Sequence, residues 1–213
     1  MAEGQATSAM DAKKEEENSE MVKIRIDKAS LQVSKSLQLR RPGYLSLLQQ
    51  KSRSEKALNN QMAIMLNIAL KMFARANRKV LILCRRKAVY QRTRNVAQYL
   101  DHDDEAFKLV YMKYLNNSEE LIKYLAQIHH YEAPSLIIME DLASFFKSVS
   151  ENSHKNHVKT VALLKNAVEW ANMIVKRKGD EIGSRAIVCD QESTGYRCDL
   201  SGFYDIKADF PKL

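Results

Sequence analysis

Three compact apolar runs constrain this chain more than any other feature: VLILC at Val80–Cys84, SLIIM at Ser135–Met139 and RAIVC at Arg185–Cys189. Each holds four or five consecutive apolar residues. That is too short for a stable helix and lacks the alternation of a half-solvated strand, so each fits a strand buried on both faces. Longer stretches with helical spacing separate them. Leu58, Met62, Met65, Leu66, Ala69, Met72, Phe73 and Ala76 predict a helix that is apolar on most sides. A second helix is expected at about Val89–Leu100. A third is capped by Ser118, carries Glu119 and Glu120 near the positive end of its dipole, and runs to about Tyr131. A fourth, about Lys155–Lys178, sets Val158, Val161, Leu164, Val168, Ala171 and Val175 on one face. YLSLL at Tyr44–Leu48, after the Pro42-Gly43 turn, and FKLVYM at Phe107–Met112 add strands, and the tail from Tyr196 reads as a hairpin turning at Ser201-Gly202. Alternating strands and helices require crossover helices and a mostly parallel sheet covered on both faces, so the fold class is α/β.

At 213 residues and 45% hydrophobic, the chain suits one moderately sized domain. That domain is expected over residues 42–213. Residues 1–20 hold six acids and two lysines with almost no bulky apolar residue, and read as a disordered acidic arm. Residues 21–41 read as a basic linker with a short alternating strand, MVKIRI, at Met21–Ile26. No run of 18 apolar residues exists to span a membrane, and the first twenty residues lack the apolar segment of a secretory signal. Cys84, Cys189 and Cys198 show no CxxC spacing, which points to reduced thiols in a cytosolic or nuclear protein.

The net charge is +8, or +12 once the acidic first twenty residues are set aside. Nine basic residues between Lys71 and Arg94 (Lys71, Arg75, Arg78, Lys79, Arg85, Arg86, Lys87, Arg92, Arg94) have no acid among them. Such a run attracts phosphates by releasing their condensed counterions, although a run of bases also describes an ordinary solvated face. Aromatic residues able to stack bases in or near it are few: Phe73, Tyr90 and Tyr99.

In open α/β sheets ligands lie beyond the carboxyl ends of the strands. After the first strand, Gln49–Met62 (QQKSRSEKALNNQM) stands where a phosphate loop belongs, and it contains no glycine. A phosphate loop needs glycines to curl backbone N–H groups round the phosphates, a lysine to reach them and a hydroxyl for Mg²⁺. Glu140-Asp141 follows SLIIM, where a P-loop enzyme holds its magnesium. Asp190-Gln191 follows RAIVC and Arg85-Arg86 follows VLILC. His154 and His157 have a metal-ligand spacing but sit in polar ENSHKNH without a cysteine or patterned acid, and read as a solvated loop. His129-His130 read as the end of a helix, and Cys84, Cys189 and Trp170 as core.

VLILCRR, SEELIKYLAQIHHYEAPSLIIMEDLASFF and RAIVCDQ resemble the core of the RecA-like recombinase paralogues. The nearest are the small divergent members that lack the N-terminal helical domain. One of these pairs with a SWIM-type zinc protein in the Shu complex and another with a fuller recombinase paralogue. The resemblance covers roughly residues 44–191, and Ala63–Met72 is similar to the helix after the family's phosphate loop. It implies a RecA-like, P-loop NTPase-like fold with a degenerate nucleotide site. In one register Asn60, Gln61 and Met62 replace Gly-Lys-Ser/Thr; in the other Lys56 keeps the lysine slot between Glu55 and Ala57. Glu140 then matches the Mg²⁺-side acid, usually Asp, and Gln191 lies near the strand-end polar residue that senses nucleotide. The resemblance implies a nuclear, non-catalytic subunit without bound ATP or magnesium. That subunit would join another recombinase paralogue or a SWIM-type zinc protein and act on recombinase filaments on single-stranded DNA in homologous-recombination repair. Pro134, Leu136, Ile137, Ile138, Met139, Glu140 and Asp141 are its expected partner surface, and Arg85, Arg86, Lys87, Arg92 and Arg94 its expected DNA contacts. Two alternatives stand beside it: a weak ATPase using Lys56 and Glu140 and completed in trans by a partner, and a basic α/β adaptor unrelated to recombination.

Overall fold

The apolar runs form the centre of a six-stranded sheet in the computed structural model, which describes residues 3–37, 43–50, 54–86, 104–146, 151–191 and 204–211. The strands are β1 (Leu45–Gln50), β2 (Val80–Cys84), β3 (Val110–Tyr114), β4 (Leu136–Met139), β5 (Arg185–Gln191) and β6 (Ile206–Asp209). Their order is β3-β2-β4-β5-β1-β6, and every pairing is parallel. The expected α/β class with a mostly parallel sheet therefore holds. The tail's turn, Ser201-Gly202, lies outside the described residues; the part described, β6, joins the sheet parallel to β1, with Ser46 opposite Ile206.

Parallel strands need crossovers, and these cover the sheet on both sides. Ile82, Ile138 and Ile187 stand in one row across β2, β4 and β5 and face α1 (Glu3–Ser36) and α2 (Glu55–Ile68). Leu81, Ile137 and Ala186 form the row on the other side, under α3 (Ser118–Ala126) and α4 (Glu151–Arg177). The apolar α2 continues through a π-turn (Ala69–Phe73) and a 3-10 turn (Ala74–Ala76) before Asn77 ends it in the left-handed region at φ 56°. It thus starts three residues before the first expected apolar position and covers the expected span.

Four expectations are corrected here. The first helix, α1, runs for 34 residues over Glu3–Ser36, so Met21–Ile26 is helical rather than extended. Ile26, Ala29, Val33 and Leu37 bury one face at helical spacing while Met21 and Ile24 point outward, and that mixture mimics strand alternation in the sequence. The strand expected at Phe107–Met112 is β3, three residues later, because Asp104–Phe107 closes a helical turn. The stretch holding His154 and His157 is helix: His157 is buried, its ring stacked 4.8 Å from that of Phe146, one turn before Val161 on the core face of α4. At α3 the cap is Asn117 rather than Ser118. Its side chain accepts the Glu120 N–H at 2.9 Å, while the Glu120 carboxylate accepts the Asn116 N–H at 2.9 Å, a reciprocal pairing like a capping box.

A polar contact fixes α1 on α2. Asp27 accepts Lys71 Nζ at 2.8 and 2.9 Å and Asn67 Nδ2 at 2.9 Å, and Asn67 also donates to Ser30 Oγ at 3.0 Å. The ion pair is half-exposed and contributes little, but buried Asn67 loses a partner if Asp27 goes. Asp27→Ala is expected to remove about 1 kcal/mol and lower Tm by about 2–4 °C. Thermal denaturation checks it, and an unchanged Tm would mean that this contact does not hold α1.

Candidate functional site

The carboxyl edge of the sheet brings the strand ends together. Beyond β1, α2 opens at Ser54, whose Oγ accepts the Ala57 N–H at 3.2 Å. Lys56 and Glu55 are exposed in its first turn. A helix N-terminus favours anions, and here the anion is the chain's own Glu55, set where it repels a phosphate. Asn60 is half-buried a turn further on, and Gln61 and Met62 are buried, 1% and 0% exposed. Gln61 and Met62 thus pack inward, and Lys56 is exposed at the edge.

Glu140, just past β4, is 1% exposed, and its N–H donates to the Leu83 carbonyl at 2.9 Å. Asp141 takes the left-handed conformation at φ 52°, and its carbonyl accepts both the N–H and Oγ of Ser144 at 3.0 and 2.7 Å. An aspartate tolerates that conformation better than most residues, and the turn it starts runs over Leu142–Phe146. Asp190, on β5, accepts the Ala143 N–H at 3.1 Å, and Arg85, just past β2, donates from Nη1 to the Ser144 carbonyl at 2.7 Å. The ends of β2, β4 and β5 are thus tied through one turn. Gln191 ends β5 in register with Gln50. Burial, then the charge of Glu140, pushes the Cys84 thiol up to about 12, and the same two causes raise Cys189 well above its ordinary value. Both are protonated core thiols. The strand ends form a hydrogen-bonded polar seam, and among the described residues no group of three His, Cys, Asp or Glu side chains suits a metal ion.

The expected partner surface is corrected. β4 lies between β2 and β5, and Leu136, Ile137, Ile138 and Met139 are each 0% exposed. Pro134 and Glu140 are buried as well and Asp141 half-buried. An interior strand with both faces covered offers no side chain to another protein.

Acids from elsewhere in the chain thin the basic run. Lys71 pairs with Asp27, Arg78 with Asp180 at 3.3 Å, and Lys79 with Glu132. Arg85 is half-buried on the Ser144 carbonyl, whereas Arg86 is exposed, its guanidinium 5.9 Å over the Tyr114 ring. Lys87, Arg92 and Arg94, like Tyr90, Tyr99, Cys198 and the helix expected at Val89–Leu100, lie outside the described residues. Phe73 is 2% exposed and stacks nothing from outside.

Exposed aromatics stand elsewhere, at the outer strand β3 and beside it. Tyr111, Tyr114 and Tyr131 are 50%, 41% and 51% exposed. Tyr111, Tyr124 and Tyr131 line a cavity of about 240 Å³ with Lys79, Ile128 and Pro134. Four tyrosines between positions 111 and 131 were a usable signal, lost because the strand was expected three residues early.

Fold and site together define an α/β protein of the Rossmann/RecA-like kind: a mostly parallel six-strand sheet flanked by helices, with an aromatic outer edge. No protein-family model matches the chain, and no curated protein matches it. Among the described residues no helix is long and apolar enough to cross a membrane.

Proposed function

We propose that this chain is a non-catalytic, RecA-like recombinase-paralogue subunit. It joins another paralogue or a SWIM-type zinc protein in the nucleus and acts with it on recombinase filaments on single-stranded DNA. The observation that carries the reading is the strand order β4-β5-β1, which gathers Glu140, Asp190 and the N-terminus of α2 at one edge, where the resemblance expects a nucleotide site. The chemistry at that edge supports the pseudo-enzyme form. Gln49–Met62 has no glycine, Glu55 stands beside Lys56, and Asp190 and Arg85 are engaged in holding a turn.

The test is recovery of partners with the tagged full chain from its own cells, identified by mass spectrometry. A recombinase paralogue or a SWIM-type zinc protein at near-stoichiometric yield is the expected result, and recovery of neither from a folded, soluble chain sinks the reading. Lys56, exposed in the first turn of α2, favours the second reading, an ATPase completed in trans. Mg-ATP separates the two: the pseudo-enzyme's melting temperature stays constant across the titration, whereas nucleotide binding raises it with concentration.

A further inference from the structure

The aromatic cavity lies away from the carboxyl edge, at the start of β2 and before β4, on the side of α3 and α4. Its tyrosines are interleaved with cations. Lys79 Nζ sits 5.9 Å over the Tyr111 ring, Lys113 Nζ 5.2 Å over the Tyr124 ring, and Tyr124 meets Tyr131 with centroids 5.2 Å apart. One acid, Glu132, stands at the mouth. Its carboxyl is held below the ordinary value first by the hydrogen bond from Lys79 and further by the charges of Lys79 and Lys178. Lys79, Lys113 and Lys178 thus outnumber Glu132, so the surroundings of the cavity favour an anionic ligand.

A cavity of about 240 Å³ is smaller than the roughly 300–1,000 Å³ that holds a drug-sized molecule. It suits a unit as small as one planar base. Half-exposed tyrosines beside lysines offer what single-stranded nucleic acid needs: flat faces for bases of any sequence and charges for the phosphates between them. A duplex, with its bases stacked on one another, has no free face to offer. We propose that this cavity holds a base of single-stranded nucleic acid, stacked on Tyr111 or Tyr131, and that the phosphates run along β3 past Lys113 to Arg86. The inference rests on the single-strand contact in the function proposed above and adds to it a base-stacking site.

The test uses the full chain, a fluorescent oligo(dT) and five variants: Tyr111→Ala, Tyr131→Ala, Tyr131→Phe, Lys113→Ala and Arg86→Glu. Each tyrosine-to-alanine change is expected to weaken binding about tenfold without altering the salt slope, because a stacked ring releases no counterions. Tyr131→Phe should restore affinity, and Lys113→Ala should lower the slope by about 0.7. Oligo(dT) carrying 5-iododeoxyuridine should photo-cross-link to Tyr111 or Tyr131. Cross-links that map only elsewhere, or alanine variants that melt and bind like the wild type, overturn the proposal. If Arg86→Glu weakens binding while the alanine variants do not, the stacking site falls and the single-strand contact stands. If the wild type binds no oligo(dT), both fall. Alanine variants that lose a co-purifying protein yet keep their affinity for oligo(dT) make the cavity a protein dock and overturn the proposal as well.

Discussion

Ile137→Asp is expected to leave no cooperatively folded protein. Ile137 is 0% exposed at the middle of β4, paired with Leu81 on β2 and Ala186 on β5, with α3 and α4 packed over that face. A carboxylate there meets apolar neighbours on the covered face. Desolvating an unpaired charge costs several kcal/mol or forces it to bind a proton, and the lost isoleucine packing adds about 2–5 kcal/mol. Together these rival the total stability of a domain, about 5–15 kcal/mol. Ile137→Val, which keeps the shape and loses one methylene, is expected to cost about 0.5–1.5 kcal/mol and to melt normally. Circular dichroism melts of the two variants decide the matter. A cooperative Ile137→Asp transition within a few degrees of the wild type would mean that β4 is not interior, and the strand would again be open to a partner.

Burial of this kind made the centre of the fold legible. A strand covered on both faces must be apolar at every position, so Val80–Cys84 could be read to the residue and the cores of β4 and β5 nearly so. At the rims the rule weakens. β3 mixes half-buried Val110 and Met112 with exposed Tyr111, Lys113 and Tyr114, and its edge was not visible from hydropathy. α1 was hidden for another reason. Its buried face includes Ser30 and Ser34, whose hydroxyls donate to the carbonyls of Ile26 and Ser30 four residues back, so polar residues occupy core positions at no loss of hydrogen bonding. The edge residues at the candidate site were named correctly as strand ends, but their engagement with one another was out of reach. That Arg85 and Asp190 serve the turn at Leu142–Phe146 follows from distances that only the fold sets. The basic run likewise looked free of acids because Asp27, Glu132 and Asp180 are far away in sequence.

That redistribution of charge decides how the DNA contact should be tested. Arg85 donates to the Ser144 carbonyl at 2.7 Å and is half-buried, so a glutamate there breaks the tie between β2 and the turn. Reversing Arg85, Arg86 and Lys87 together would mix loss of structure with loss of binding. Arg86→Glu/Lys87→Glu leaves the Arg85 tie in place, and Arg86 is exposed. Each phosphate contact on a single strand contributes about 0.7 to the slope of log affinity against log salt, so losing two lowers it by about 1.4. The two reversed charges also repel the phosphates, and at low salt, where screening is weakest, the combined loss is expected to exceed tenfold. The fall should shrink as salt rises, since screening removes an attraction that the variant no longer has. Fluorescence anisotropy with oligo(dT) across a salt series measures both quantities, and a melt of the same sample confirms that the fold is intact. A folded double variant with unchanged affinity and slope would remove Arg86 and Lys87 from any contact with DNA.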